Sequence, residues 1–143
     1  MNPEQLMQMA RQAREHAYAP YSNFRVGAAV LARDGRVFAG CNVENASYGL
    51  CNCAERTAFF SAIAAGVRRD GFVHIAIIGD CEEPISPCGA CRQVMAELAG
   101  PEVPVNLGNL QGKQRQTTIG DLLPDAFELA PRLKHTSGNP DTP

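Results

Sequence analysis

Two stretches of the chain, residues 26–32 and 73–79, are almost continuously apolar, broken only by Gly27, His74 and Gly79. A strand with one face in water alternates polar and apolar side chains. A run without alternation belongs to a strand covered on both faces. No other feature constrains the fold as much, because both faces of such a sheet need helices. The chain supplies them. Leu6, Met9, Ala10, Ala13 and Ala17 recur at helical steps over 3–17, and Pro20 stops that helix before a turn at Tyr21, Ser22 and Asn23. From Cys53, the residues Ala54, Thr57, Ala58, Ala62 and Ala65 repeat the spacing up to Gly66, which stands where a C-terminal cap belongs. A third helix covers 88–99 and ends at Gly100. Asp34 and Gly35 turn the first run back into 37–43, a hairpin. Residues 103–107 and 116–119 read as short strands around Gln111 and Gly112, with a helical turn at 121–123. Residues 45–52 and 80–87 are loops. The predicted fold is α/β, a three-layer sandwich whose mixed sheet of about five strands carries helices on both faces.

At 143 residues the chain makes one domain, able to bury about two-thirds of its unfolded surface. The domain is predicted over 1–131, and 132–143 as a disordered tail, because 134–143 hold no apolar residue to anchor them. Net charge is −2 and the pI near 5.9, so no basic field holds a polyanion. No apolar run approaches the roughly 18 residues of a membrane span. Met1-Asn2-Pro3-Glu4-Gln5 lacks the basic and apolar regions of an export signal. These features predict a cytoplasmic protein with neither nucleic acid nor membrane as partner.

Six cysteines, at 41, 51, 53, 81, 88 and 91, then read as thiols rather than disulfides. Their clustering points to a metal site. Cys53-Ala54-Glu55-Arg56 and Pro87-Cys88-Gly89-Ala90-Cys91 share one design, a loop running into a helix with cysteines in its first turn. Free N–H groups and the positive end of the helix dipole lower a thiol's pKa there. Cys53, Cys88 and Cys91 can supply three thiolates to one zinc ion, leaving the fourth tetrahedral position to water, as in catalytic sites. A structural zinc would want a fourth ligand, for which Cys51 is the obvious candidate and Cys41 and Cys81 are others. Glu55, two residues after Cys53, can reach the bound water without ligating the metal, accept its proton and pass it on. The same set of a C-A-E segment and a P-C-x-x-C segment is known in zinc deaminases of nucleobases, so at this point the reading is a match to a known site.

Together with Pro20-Tyr21-Ser22-Asn23-Phe24, Val26-Gly27-Ala28-Ala29, the stretch from Gly40-Cys41-Asn42-Val43-Glu44 to Tyr48-Gly49, and Arg92-Gln93, those motifs stand in the order of a known family. Over roughly 5–130 the chain resembles the small, homotetrameric cytidine deaminases of pyrimidine salvage. The resemblance implies one Zn²⁺ per subunit on Cys53, Cys88 and Cys91, with Glu55 as proton shuttle. It implies that Asn42 and Glu44 hold the ribose hydroxyls, that Phe24 lies against the nucleoside and that the backbone of Ala54 meets the base. Tyr48 and Phe127 would complete the site of an adjacent subunit. Cys41, Cys51 and Cys81 are left as non-ligands, and His16, His74 and His135 have no ligand spacing with the cysteines.

The expected reaction is hydrolysis of cytidine and 2′-deoxycytidine to uridine and 2′-deoxyuridine, with release of ammonia. A deaminase of bases within RNA or DNA could use the same zinc site but needs an electropositive channel, and this chain has two lysines and scattered arginines. A deaminase of nucleoside-like antibiotics would not need the ribose-binding stretch 42–48. A zinc-stabilised structural module is the non-enzymatic alternative. Arg56 is expected to tune the metal. Three thiolates on Zn²⁺ leave one net negative charge, and a guanidinium donating to sulfur withdraws part of it. Arg92 could do so from the other helix, although it looks more like a helix-surface residue.

Overall fold

The computed structural model describes residues 1–129. The predicted tail and the last residues of the predicted domain lie outside them. Five strands, β1 (Val26–Ala32), β2 (Val37–Cys41), β3 (Phe72–Gly79), β4 (Pro104–Asn109) and β5 (Gln114–Thr118), form one sheet in the order β2-β1-β3-β4-β5. β1 runs antiparallel to β2 and β3, β3 is parallel to β4, and β4 is antiparallel to β5, so the sheet is mixed as expected. The helices are α1 (Pro3–Arg14), α2 (Ala54–Ala64), α3 (Gly89–Leu98) and the short α4 (Ile119–Leu122).

The unbroken apolar runs have the predicted cause. Ala28, Val30 and Ala32 of β1 and Ile75 and Ile77 of β3 point into a core with Ala58, Phe59 and Ala62 of α2 and Met95 of α3. Ala29, Ala76 and Ile78, one residue out of phase, meet Leu6, Met7 and Ala10 of α1 on the other face. Both sides of the central strands are dry, and each fully buried Ile or Val contributes about 1.5–3 kcal/mol. That makes three layers: α1, the sheet, and α2 with α3.

The helix starts are locally encoded. Asn2 caps α1 by accepting from the Gln5 amide at 2.8 Å, while Gln5 Oε1 accepts from the Asn2 amide at 2.9 Å, with Pro3 in the first turn. The end of α1 is not local. It stops at Arg14 rather than 17, because the Tyr18 amide donates to the Asn42 carbonyl and joins a β-bridge with Val43. Other boundaries differ by one to three residues. β2 stops at Cys41 rather than 43, β4 runs on to Asn109, and Tyr48–Leu50 forms a single 3₁₀ turn inside the predicted loop.

Two glycines set how closely the layers approach. A Cβ on Gly27 would lie 1.9 Å from the Ala10 carbonyl oxygen of α1. On the opposite face, a Cβ on Gly40 would lie 2.5 Å from both the Ala54 carbonyl oxygen and the Ala58 nitrogen of α2. Both helices therefore touch the sheet backbone to backbone. Gly27→Ala should destabilise the protein by about 1–3 kcal/mol, the usual cost of overpacking. Gly49→Ala, whose Cβ meets nothing within 4 Å among the described residues, should stay within about 0.5 kcal/mol. Urea unfolding of the two variants measures the difference, and equal midpoints would contradict the close-approach argument.

Candidate metal centre and active site

Cys53 and Cys88 stand at the N-caps of α2 and α3, one residue before the first turn in which the sequence placed them. Their backbones are extended, and neither sulfur caps its own helix. A serine or aspartate there would turn back onto the helix amides; these sulfurs turn towards each other instead. Cys91, one turn into α3, is fully buried. The Cys53 and Cys88 sulfurs are 3.8 Å apart, those of Cys88 and Cys91 3.4 Å, and all three lie within 4.8 Å of one another. Zinc–sulfur bonds of about 2.3 Å at tetrahedral angles place sulfurs about 3.8 Å apart, so the donor set fits one zinc ion. Among the described residues no other group of three or more His, Cys, Asp or Glu residues gathers in this way. The Cys51 sulfur accepts from the Asn45 amide and leaves the fourth position open.

The surrounding charges suit thiolate ligands. Arg56 Nη2 donates to the Cys53 sulfur at 3.2 Å, and the buried Arg56 Nε has no acceptor among the described residues. The neighbouring Cys91 thiol, aided by that guanidinium, brings the Cys53 thiol down to about 5. Cys91, beside the Cys53 sulfur and itself buried, is pushed up. Glu55 sits on the first turn of α2 and is 4% exposed. Burial raises its carboxyl above the ordinary carboxylate range, and the neighbouring Cys53 adds to this. Arg92 is far from a free surface residue: Nε donates to the Pro87 carbonyl at 2.8 Å, Nη1 to the Leu122 carbonyl at 2.6 Å and Nη2 to Ser86 Oγ at 2.7 Å. It braces the loop that delivers Cys88.

The remaining candidates lie at the start of α2 and in the loops before β1, after β2 and after α4. Val43 forms an antiparallel bridge with Asn52, which lays residues 42–44 beside the start of α2 and the backbone of Ala54. The Glu44 carboxylate accepts from the Tyr21 and Ser22 amides at 2.9 and 3.1 Å and from the Ser22 hydroxyl, bonds that hold its pKa low, the hydroxyl foremost. Asn42 Oδ1 accepts from the Val26 amide, and its Nδ2 donates to the Phe24 carbonyl, both at 2.8 Å. That these two side chains brace the 21–26 loop has no local sign in the sequence. Phe24 lies over Gly79 at the end of β3, where a Cβ would be 3.2 Å from its ring. Tyr48 meets Tyr21 edge to face at 5.9 Å and, with Glu44 and Cys51, lines a pocket of about 280 Å³. Phe127 is 68% exposed. Of the expected non-ligands, His74 pairs with Asn106 across the sheet. A larger cavity, about 590 Å³, lies at the opposite end of α3 between Arg33, Phe72 and Pro101. It holds none of the candidate residues, and the sulfurs with the buried carboxylate are the better guide to chemistry.

A mixed α/β sheet with three sulfurs around an open fourth position and a buried carboxylate beside them defines a hydrolytic zinc enzyme. A family model described as "Cytidine and deoxycytidylate deaminase zinc-binding region" matches residues 1–107. The chain is 58% identical over 127 residues to a cytidine deaminase of Halalkalibacterium halodurans, covering 89% of this chain and 95% of that protein. It is 54% identical, also over 127 residues, to one of Sporosarcina psychrophila, covering 89% and 92%. A crystal structure of cytidine deaminase from Burkholderia pseudomallei superposes with a TM-score of 0.88 at 64% identity, covering 89% of this chain and 100% of that one. The chain belongs to the cytidine deaminase family, whose members are zinc-dependent.

Removing any one of three sulfurs leaves too few strong ligands to hold the ion. Cys53→Ala, Cys88→Ala and Cys91→Ala should each lose zinc, while Cys41→Ala, Cys51→Ala and Cys81→Ala keep about one ion per chain. Metal analysis after gel filtration decides this, and full zinc in any of the first three would remove that cysteine from the ligand set.

Proposed function

We propose that the chain hydrolyses cytidine and 2′-deoxycytidine to uridine and 2′-deoxyuridine with release of ammonia, and that Glu55 moves the protons. The observation that carries this reading is the buried Glu55 carboxyl on the same helix start as Cys53. Zinc held by Cys53, Cys88 and Cys91 would lower the pKa of a water molecule towards about 7, making hydroxide available near neutrality. Glu55 takes that water's proton and gives it to ring N3, which leaves C4 electron-poor and open to attack. Once the hydroxide oxygen has bonded to C4, Glu55 takes the remaining proton of the new C4 hydroxyl and gives it to the amino group, which leaves as ammonia as the C4 carbonyl forms. Burial, by raising the affinity of Glu55 for a proton, suits a group that must both take and give one. The ribose hydroxyls go to Asn42 and Glu44, the base meets the backbone of Ala54, and Phe24 packs against the nucleoside. The bridge between Val43 and Asn52 supports that arrangement. Arg56, through its bond to the Cys53 sulfur, withdraws charge from the ligand set. Residues 1–131 form the catalytic domain, and a reducing cytoplasm suits six free thiols.

Tyr48 and Phe127 are read as reaching an adjacent subunit's site within a homotetramer. Their exposure in the single chain, 73% and 68%, supports this, since large exposed aromatics are enriched where partners meet.

Glu55→Gln should keep zinc and fold but lose turnover by about 10⁴-fold or more, because one residue serves several proton transfers. Loss of ultraviolet absorbance with cytidine is the assay, and turnover within tenfold of wild type would sink the assignment. Co-refolding that variant with Phe127→Ala should recover activity at low cytidine, through hybrid sites with an intact Glu55 and a neighbour's intact Phe127. Arg56→Gln should lower turnover by roughly tenfold or more, the usual scale for a charge-assisted bond. Its Michaelis constant should move less. A rise in the Michaelis constant alone would make Arg56 a binding residue.

A further inference from the structure

The segment after α4 is held more firmly than an exposed connector requires. The carbonyl from which it departs, that of Leu122 at the end of α4, accepts from Arg92. Leu123 and Ala126 pack against the main core, and Asp125 between them takes a left-handed conformation at φ 55°. Five residues beyond Leu122, the Phe127 carbonyl accepts from Gln93 Nε2 at 3.1 Å. Arg92 and Gln93 follow directly on Cys91, so consecutive side chains of the metal-bearing helix grip both ends of this stretch. All of these contacts leave the Phe127 ring itself exposed. A ring that had only to cover the chain's own core would be buried. Fixing the main chain while leaving the side chain free instead lowers the entropy lost when that side chain docks elsewhere.

We infer that Gln93 is a positioning residue: its amide fixes the Phe127 main chain so that the exposed ring is preorganised for a nucleoside-binding site. The inference rests on the reading that Phe127 completes a neighbouring subunit's site. Gln93 touches no substrate and acts only through Phe127.

Gln93→Met keeps the length and helical preference of the side chain but removes the donor. With that hydrogen bond gone, the Michaelis constant for cytidine should rise roughly 2- to 10-fold, while turnover number and zinc content stay within twofold of wild type. Hydrogen exchange of the backbone amides at 126–129 should speed up by a similar factor, with exchange in β3 unchanged. In a Phe127→Ala background, Gln93→Met should leave the Michaelis constant where Phe127→Ala alone puts it. Unchanged exchange at 126–129 in Gln93→Met overturns the inference, and so does a further rise in the Michaelis constant in the Phe127→Ala background. If Phe127→Ala by itself leaves the Michaelis constant unchanged, the shared-site reading falls and takes the inference with it. Faster exchange at 126–129 in that case identifies the shared-site reading as the part that failed.

Discussion

A helix can reach backbone contact with a sheet only where the strand beneath it lacks a side chain, and Gly40 provides that place under α2. The contact falls on Ala54 and Ala58, the first turns of α2. It therefore fixes the height of Cys53, Ala54, Glu55 and Arg56 above the sheet together. Gly40 also sits one residue before the end of β2, so the same contact sets the distance from α2 to residues 42–44. On the other face, Gly27 performs the corresponding service for α1. A methyl group at either place would push a whole layer, and at Gly40 it would push the chemistry as well.

Within that frame, electrostatics decides what the sulfurs can hold. Two helix N-termini converge, each carrying partial positive charge and unpaired amides. Arg56 adds a full charge in contact with one sulfur. A cluster of thiolates is tolerable only with such company, and the cation completes it. Glu55 stands in the same field but behind a low-exposure boundary. Burial favours its neutral form at the very place where nearby positive charge would otherwise keep it ionised. Burial is the stronger influence, and it raises the carboxyl's affinity for a proton.

Much of this was legible in the sequence, because the governing signals are local. The two unbroken apolar runs identified β1 and β3 and demanded helices on both sides. Asn2-Pro3 and the two cysteine segments marked helix starts to within a residue. Where the boundaries differ, a tertiary partner or a side chain closing a turn is responsible. α1 gives up its last turn because Tyr18 is taken by Asn42 and Val43, and β2 stops when Val43 turns to pair with Asn52. β4 runs to Asn109 because that side chain accepts from the Gln111 and Lys113 amides and closes the turn. The zinc ligands could be named from spacing and type. The grip of Arg92 on Pro87, Ser86 and Leu122 could not, because an arginine on a helix gives no local sign of which carbonyls it will reach.

Asn42 carries a consequence for how such a site can diverge. Its amide already ties two backbone groups on either side of Arg25, and those ties place Phe24. A residue with that duty is poorly placed to be exchanged for the sake of a different sugar. Shortening it to serine or swapping its charge would release the loop carrying the aromatic ring before any new preference could be tested. In the function proposed above, sugar recognition and loop architecture share one side chain. In that proposal, substrate range changes more easily at positions such as Tyr48, whose removal leaves the loop's hydrogen bonds in place. The 21–26 loop thus depends on Asn42 in a way that it does not depend on Tyr48.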